Sequence, residues 1–257
     1  MKIGIENLLQ WAFTQELCEN REGSGAAIGS SNFTMIMEIV RLGAVIDRSR
    51  NIMEASSAFV ALEPHEDALS VIAAVQKLAK HDFDIGEGWN PFPEWQDEFG
   101  LIAAAVRDEV DALRARGENL NGRHVAGLVF SCAVLGRGPD WRAEQPSSVY
   151  TKRGGKEAWF IQKTGKDAFG RAYSFEANGY DAKRRRPMRG SYRKMELTQS
   201  LRGAIIARLE WQLWQDALCE LHQTLANHLV SHDLLPFFPQ RQPWVNFQRV
   251  SENLVSA

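Results

Sequence analysis

The sequence predicts an α+β protein that is mainly helical, a multi-helix globular domain with a small antiparallel β-hairpin element. Three observations support this class. Apolar residues recur at helical spacing through most of the region before residue 140 and again after residue 197. Between these regions, aromatic-rich stretches alternate with turn residues, which is typical of a hairpin. With 257 residues, 44% of them hydrophobic, the chain is long enough for a sizeable core.

The changes of pattern divide the chain into three predicted regions. A helical domain spans 1–140, a basic β-hairpin and loop element spans 141–196, and a long helix with a tail rich in proline and aromatic residues spans 197–257. The alternative is that all three regions belong to one single domain, because a chain of 257 residues forms either one large domain or two small ones.

The N-terminal region is predicted to begin with a helix from Ile5 to Cys18, where apolar residues follow helical spacing. A loop rich in glycine and serine follows over 22–31. Ser31-Asn32 then offers a cap for a second helix. The stretch 51–62 is ambiguous, and its last five residues could form a short strand.

Three further helices are predicted before residue 140. The first begins at Pro64, because proline suits a first helical turn and the acidic residues after it complement the helix dipole. The other two span 97–116 and 123–135, and the last is apolar almost all round, which predicts a central core helix. We do not expect this pair to be a DNA-reading helix-turn-helix, because a recognition helix needs a polar face.

The predicted hairpin lies between the two helical regions. Aromatic-rich stretches at 159–163 and 169–175 flank Thr164-Gly165-Lys166-Asp167, which we interpret as the turn. Ala177-Asn178-Gly179 is a second turn signal. Helical periodicity returns from Leu197 to about His232, and the prolines that follow forbid its continuation.

Charge is distributed unevenly along the chain. The net charge is only −2, yet residues 151–196 contain thirteen Lys or Arg against five Asp or Glu, about +8. The rest of the chain then carries seventeen basic and twenty-seven acidic residues, about −10. Such separation predicts a basic face or arm, which either attracts a polyanion or packs against the acidic part of the same chain.

The basic segment also contains interleaved aromatic residues, and this combination is typical of nucleic-acid surfaces. Cations neutralise phosphates and release counterions, arginine binds phosphate oxygens bidentately, and aromatic faces stack on unpaired bases. The residues predicted to contact nucleic acid are Lys163, Lys166, Arg171, Tyr173, Lys183, Arg184, Arg185, Arg186, Arg189, Tyr192, Arg193 and Lys194. The alternative is that the hairpin aromatics point into the core and the cations only solvate the outer face.

The sequence contains few signs of catalysis or metal binding. It has no Walker-type phosphate loop, no dinucleotide fingerprint and no hydrolase nucleophile elbow. The three cysteines are far apart, which favours free thiols over a zinc or redox site. His228 and His232 have the i, i+4 spacing of metal ligands but fit better as histidines at the edge of a core. We therefore predict no catalytic residue, no metal site and no cofactor, and an enzyme is the least favoured class.

No apolar run approaches the roughly eighteen residues that a membrane-spanning helix needs. The N-terminus also lacks the basic and apolar regions of a signal peptide. We therefore expect a cytoplasmic protein with no membrane partner.

Four phrases in the sequence resemble a family of uncharacterised proteins encoded by bacterial prophages and related mobile elements. They are Gly88-Trp89-Asn90-Pro91, Val134-Leu135-Gly136-Arg137-Gly138-Pro139-Asp140-Trp141, Arg189-Gly190-Ser191-Tyr192-Arg193-Lys194 and Leu209-Glu210-Trp211-Gln212-Leu213-Trp214. The resemblance covers most of the chain from about Glu63 onward. It implies a bacterial host cytoplasm and a role in phage gene regulation, replication or host takeover, and it brings no catalytic residues.

Together these features predict a nucleic-acid-binding protein of phage or mobile-element type that regulates transcription, with DNA favoured over RNA as its ligand. The alternative is a phage-type adaptor or inhibitor that binds a host protein. Its contact would lie in the stretches 88–95 and 236–244, which combine stiff proline residues with aromatic anchors.

Overall fold

The structure is a computed structural model that describes residues 1–16, 64–117 and 120–245. The predicted loop at 22–31, the second helix after it and the ambiguous stretch at 51–62 lie outside the described residues.

The chain divides into two compact units. The first, which we call the helical unit, comprises the described residues of Met1–Glu94, Glu109–Arg142 and Ala204–Ala257. The second, which we call the hairpin unit, comprises Trp95–Asp108 and Ala143–Gly203. Each unit is therefore built from separate segments of the sequence.

Within the described residues the chain forms five α-helices. They are α1 (Ile5–Trp11), α2 (Glu66–Leu78), α3 (Leu101–Arg116), α4 (Gly122–Leu135) and α5 (Arg202–Leu225). Helix α1 continues as a π-helical segment over Ala12–Glu16. Across the described residues, the search for a helix of the length and apolar character that a membrane crossing requires found none.

Ten short strands form five two-stranded sheets in the described residues. The hairpin unit contains four antiparallel pairs. The outermost in sequence is β2 (Ser148–Tyr150) with β9 (Met195–Leu197). Between these strands lie three hairpins, which pair β3 (Lys152–Arg153) with β4 (Lys156–Glu157), β5 (Phe160–Lys166) with β6 (Ala172–Asn178), and β7 (Tyr180–Asp181) with β8 (Arg186–Pro187). In the helical unit β1 (Lys2–Ile3) pairs in parallel with β10 (Asp233–Leu234). Helices and small antiparallel strand pairs thus occur together, as the predicted α+β class requires.

The helix starts depend on side chains that satisfy the first backbone N–H groups. Asn121 caps α4, since its Oδ1 accepts a hydrogen bond from the backbone N–H of His124 at 2.8 Å. Helix α2 begins one residue after His65, whose Nδ1 accepts from the N–H of Asp67 at 3.0 Å, so Pro64 lies just before the helix. The prediction that α3 starts at Asp97 is wrong, because the Asp97 carboxylate caps a helix that begins at Leu101.

The core of the helical unit forms where α1, α2, α4 and α5 bury their apolar faces. Phe13 and Phe130 meet edge to face with their ring centroids 4.9 Å apart. Val125, Val129 and Phe130 are buried, which confirms α4 as a core helix, although Leu135 at its end is exposed. Apolar burial of this kind is the main favourable contribution to folding.

Helix α5 ends at Leu225, so the prediction of a helix up to about His232 is wrong at this end. Beyond Leu225 the backbone turns, and the N–H groups of Val230, Ser231 and His232 donate to the carboxylate of Asp67. His228 and His232 consequently do not share a helical face, and the metal-ligand spacing that their sequence positions suggested is not realised.

Candidate nucleic-acid interface

The central feature of the hairpin unit is the ladder between β5 and β6, which runs from Phe160 opposite Asn178 to Lys166 opposite Ala172. Side chains alternate between the two faces of such a ladder. One face, the aromatic face, carries Tyr173 and Phe175 of β6, opposite Gly165 and Lys163 of β5. The other face, the covered face, carries Phe160, Gln162 and Glu176.

The covered face holds two of the predicted nucleic-acid contacts in place. Tyr192 donates its hydroxyl hydrogen bond to Glu176, and the Nζ of Lys194 lies 2.7 Å from the same carboxylate. The Lys194 ammonium also lies 5.1 Å from the centroid of the Phe160 ring. Hydrogen bonds from Lys194 and Tyr192 lower the pKa of Glu176, and Glu176 raises the pKa of both donors. These two side chains therefore stabilise the hairpin unit itself.

Arg193 is also engaged within the unit. Its Nη1 lies 2.8 Å from Oε2 of Glu157. Its guanidinium lies 3.9 Å from the centroid of the Tyr150 ring and 5.5 Å from that of Trp159. Arginine commonly stacks on aromatic faces in this way. The charges of Arg193 and Lys194 and the hydroxyl group of Tyr192 therefore all have partners within the hairpin unit.

The remaining predicted cations are exposed at the surface of the hairpin unit. Arg184 lies 3.9 Å from Asp181 through its Nε. No other member of this set has a side-chain ion pair or hydrogen bond with the described part of the chain. The set, which we call the open cations, is Lys163, Lys166, Arg171, Lys183, Arg184, Arg185, Arg186 and Arg189.

Lys166 and Arg171 flank the tight turn that closes the β5–β6 ladder. The predicted turn at 164–167 is wrong, because Thr164, Gly165 and Lys166 belong to β5. The turn lies instead at 167–171, where Oδ1 of Asp167 accepts from the N–H groups of Phe169 at 2.9 Å and Arg171 at 2.8 Å. An aspartate side chain that bonds its own turn in this way fixes the loop locally. The turn exposes Phe169 at its tip, 86% accessible to solvent.

The β7–β8 pair closes with a second turn, and half of the open cations lie on it or at its edge. Oδ1 of Asp181 accepts from the N–H groups of Lys183 at 2.9 Å and Arg184 at 3.1 Å. Arg185 has a φ of 51°, in the left-handed region that non-glycine residues rarely adopt. Three consecutive cations, Lys183 to Arg185, are therefore displayed on a tight turn, and Arg186 follows as the first residue of β8, whereas the sequence suggested an open loop.

Gly179 connects the β5–β6 hairpin to the β7–β8 hairpin, and its backbone packs closely against its neighbours. Its N–H donates to the carbonyl of Trp159 at 2.7 Å, and its own carbonyl accepts from the N–H of Met188 at 2.8 Å. A Cβ at this position would lie 2.7 Å from Cβ of Ser191 and 2.8 Å from the carbonyl carbon of Phe160. Only glycine fits here without movement of the backbone. The second predicted turn, at 177–179, is wrong, because Ala177 and Asn178 belong to β6 and Gly179 links β6 directly to β7.

The aromatic residues of the β5–β6 hairpin do not point into a core. Tyr173 and Phe175 are 50% and 40% exposed, so the alternative interpretation of buried hairpin aromatics is wrong for both of them. Phe169 and Phe175 were not among the predicted contact residues. The sequence could have identified Phe175, because side chains alternate along a strand and Phe175 follows Tyr173 by two positions, which places both on one face.

The two stretches rich in proline and aromatic residues pack within the helical unit. Trp89 donates through Nε1 to Oε1 of Gln212 at 2.7 Å, and Trp244 is buried. Arg208 donates to the carbonyl of Pro91 at 2.6 Å, and its guanidinium lies 4.6 Å from the centroid of the Trp244 ring. Their main anchors are thus occupied by the protein's own core.

In the part of the chain that the structure describes, no three His, Cys, Asp or Glu side chains are grouped so that they could hold a metal ion. Cys132 and Cys219 are free thiols. Burial raises the pKa of the Cys132 thiol to about 12, which removes the thiolate that a cysteine nucleophile needs at neutral pH.

Comparison of the chain with models of known protein families, with curated proteins and with solved structures found no match. The function is therefore inferred from the residues and geometry of the hairpin unit.

Proposed function

We propose that the protein binds nucleic acid through the open cations of the hairpin unit and acts as a regulatory protein of phage or mobile-element type. We also propose that the protein as a whole is mainly helical. The helical unit would then serve as the scaffold of the protein. The observation that carries the proposal is the display of cations on two hairpin turns, where most of them have no carboxylate partner in the described residues.

The distribution of charged partners supports a polyanion as the ligand. Tyr192, Arg193 and Lys194 use the carboxylates of Glu157 and Glu176, which leaves the cations on the turns available. Each phosphate that a cation neutralises releases condensed counterions, which favours binding at low salt. DNA remains the favoured ligand in this proposal.

The first test changes Arg184, Arg185 and Arg186 together to alanine. We expect weaker binding of labelled nucleic acid, because up to three phosphate contacts are lost. We also expect the slope of log affinity against log salt concentration to become shallower by about one for each lost contact. The measurement is fluorescence anisotropy with labelled DNA duplex, single-stranded DNA and RNA over a salt series.

A matched control removes three positive charges from the helical unit, by changing Lys2, Lys77 and Lys80 to alanine. All three lysines are exposed. This variant has the same net charge as the arginine variant, so it measures the effect of net charge alone. Equal losses of affinity in the two variants, or an unchanged salt slope in the arginine variant, would remove the β7–β8 turn from the binding surface.

A further inference from the structure

The aromatic face of the β5–β6 hairpin has the features of a small stacking surface. The ring centroids of Tyr173 and Phe175 are 5.7 Å apart, and the two ring planes are tilted by 37°. Both rings are partly exposed although they are large and apolar. Tyr173 is 50% exposed and Phe175 is 40% exposed, so a large part of each side chain is open to solvent.

Gly165 explains how the two rings lie on the hairpin. A Cβ at this position would lie 3.1 Å from a ring carbon of Phe175 and 3.1 Å from a ring carbon of Tyr173. The rings therefore occupy the space that a side chain at residue 165 would fill, close against the backbone of β5. Rings in this position turn one side to the hairpin and leave the other side open to a ligand.

Cations lie beside the rings in this hairpin. Lys163 pairs directly with Phe175 in the ladder and so shares its face, and Arg171 lies at the end of the turn, two positions before Tyr173. Both side chains are exposed and belong to the open cations. A ligand that covered the rings would thus meet positive charge beside the aromatic pair.

We propose that this aromatic face stacks on unpaired bases, so that the ligand is a single strand or an unpaired region of nucleic acid. The proposal rests on the proposed function and names its substrate class. In a duplex, neighbouring bases cover each other's faces, and each strand rises by about 3.4 Å per base. Exposed rings can therefore stack on base faces only where the bases are unpaired and splayed apart.

The test replaces both aromatic residues by leucine, in the variant Tyr173→Leu with Phe175→Leu. Leucine keeps an apolar cover over Gly165 but lacks an aromatic face. We expect affinity for a labelled pyrimidine strand of about 16 nucleotides to fall by about tenfold or more, because stacking contributes substantially for each base. Affinity for the duplex of the same length should stay unchanged, and so should the salt slope for the single strand, because no charge is removed.

Two controls separate loss of stacking from loss of structure. Tyr173→Phe keeps the ring and should bind the single strand as the wild type does. Phe99→Leu removes an aromatic side chain that is 52% exposed elsewhere in the hairpin unit, and it should also leave binding unchanged. Parallel titrations with DNA and RNA strands of the same sequence identify which sugar the surface prefers.

The outcomes distinguish this inference from the proposed function. Single-strand binding that the leucine variant retains, but the arginine variant loses, would overturn the stacking surface and leave the proposed function intact. Preference of the wild type for duplex would do the same. Absence of binding to duplex and to both strands would overturn both proposals. Binding to vesicles of phosphatidylcholine and phosphatidylserine instead of oligonucleotides would also overturn both and assign the rings to a lipid surface.

Discussion

Asp67 is a single buried carboxylate that connects two distant parts of the helical unit. It lies in the first turn of α2 and accepts hydrogen bonds from the N–H of Val230 at 2.7 Å and from Nδ1 of His232 at 2.7 Å. The N–H groups of Ser231 and His232 donate to it as well, both at 3.1 Å. Burial alone would raise the pKa of Asp67, but the hydrogen bonds from Val230, His232 and Ser231 prevail and lower it. Such bonds to a charged group are stronger than those between neutral groups.

We predict that Asp67→Asn lowers the free energy of unfolding by about 3 kcal/mol. The asparagine side chain has no charge, and its NH2 group would face backbone N–H groups that also need an acceptor. Urea unfolding at neutral pH measures this change. The pKa of Asp67 in the folded protein lies below its ordinary value of 3.8. Its contribution is therefore complete above about pH 4 and is lost as the pH falls through the lowered pKa. Because asparagine does not titrate, the stability of the variant should decrease less than that of the wild type as the pH falls below about 4.

Glu66→Gln is the control for this prediction, because it changes the neighbouring acidic residue, which is exposed. A surface substitution of this kind should alter the free energy of unfolding by no more than about 0.5 kcal/mol. A similar loss in both variants would show that the general charge of the α2 N-terminus matters, and that the hydrogen bonds at Asp67 contribute little.

The contact between the end of α2 and the start of α4 depends on the absence of a side chain at Gly122. A Cβ at this position would lie 2.1 Å from the carbonyl oxygen of His81 and 2.5 Å from that of Leu78. Backbone atoms cannot yield as a flexible side chain can. We therefore predict that Gly122→Ala lowers the free energy of unfolding by about 3 kcal/mol, at the upper end of the range for overpacking.

Gly203→Ala provides a matched comparison in the first turn of α5. A Cβ at Gly203 would meet no atom within 4 Å. Alanine has a higher helix propensity than glycine, so this substitution should leave stability unchanged or raise it slightly. Urea unfolding of the two variants side by side tests the comparison. Equal stability of Gly122→Ala and the wild type would mean that the two helices can separate without cost.

Elements controlled by local signals could be predicted from the sequence, and those controlled by distant residues could not. The start of α4 follows from the cap at Asn121, three positions before the N–H it binds. The end of α5 does not, because the carboxylate that receives the following N–H groups belongs to Asp67, more than 160 positions earlier. Gly165 was misread as a turn residue because its role, making room for two rings, is visible only once the strands are paired.

The same division holds for the candidate interface. Clustering of cations in the sequence predicted a basic region, and the structure exposes eight of the predicted cations there. The clustering could not show which cations already have partners, because Glu176 and Glu157 lie 16 and 36 positions from the residues that they bind. The local turn bonds made by Asp167 and Asp181 were within reach of a sequence argument, since each spans no more than four residues.

At the scale of the whole molecule, aromatic residues and arginines serve different purposes in the two units. In the helical unit Arg208 is buried between Phe92 and Trp244 and pairs with Glu94. Trp89 and Trp141 contribute to the same region, because Trp89 donates to Gln212 and the carbonyl of Trp141 accepts from Arg208. In the hairpin unit the open cations and the rings of Phe169, Tyr173 and Phe175 are exposed, so the function that we propose belongs there.

The division into two units leads to a last prediction about hydrogen exchange. A ligand that binds only the native hairpin unit stabilises it by mass action, by about 2.7 kcal/mol when the free ligand is at about 100 times its Kd. With a single-stranded oligonucleotide present, we expect the amides of β5, β6 and β7 to exchange up to about a hundredfold more slowly. The amides of α1 and α2, which belong to the helical unit, should be unaffected.

Hydrogen exchange followed by mass spectrometry, with and without the oligonucleotide, measures this difference peptide by peptide. The variant with Arg184, Arg185 and Arg186 changed to alanine should show a smaller gain at the same oligonucleotide concentration, because less of it is bound. Slower exchange of similar size in both units would mean that they open as one cooperative structure. Slower exchange confined to α1 and α2 would place the nucleic acid on the helical unit and contradict the assignment of the binding surface to the two hairpin turns.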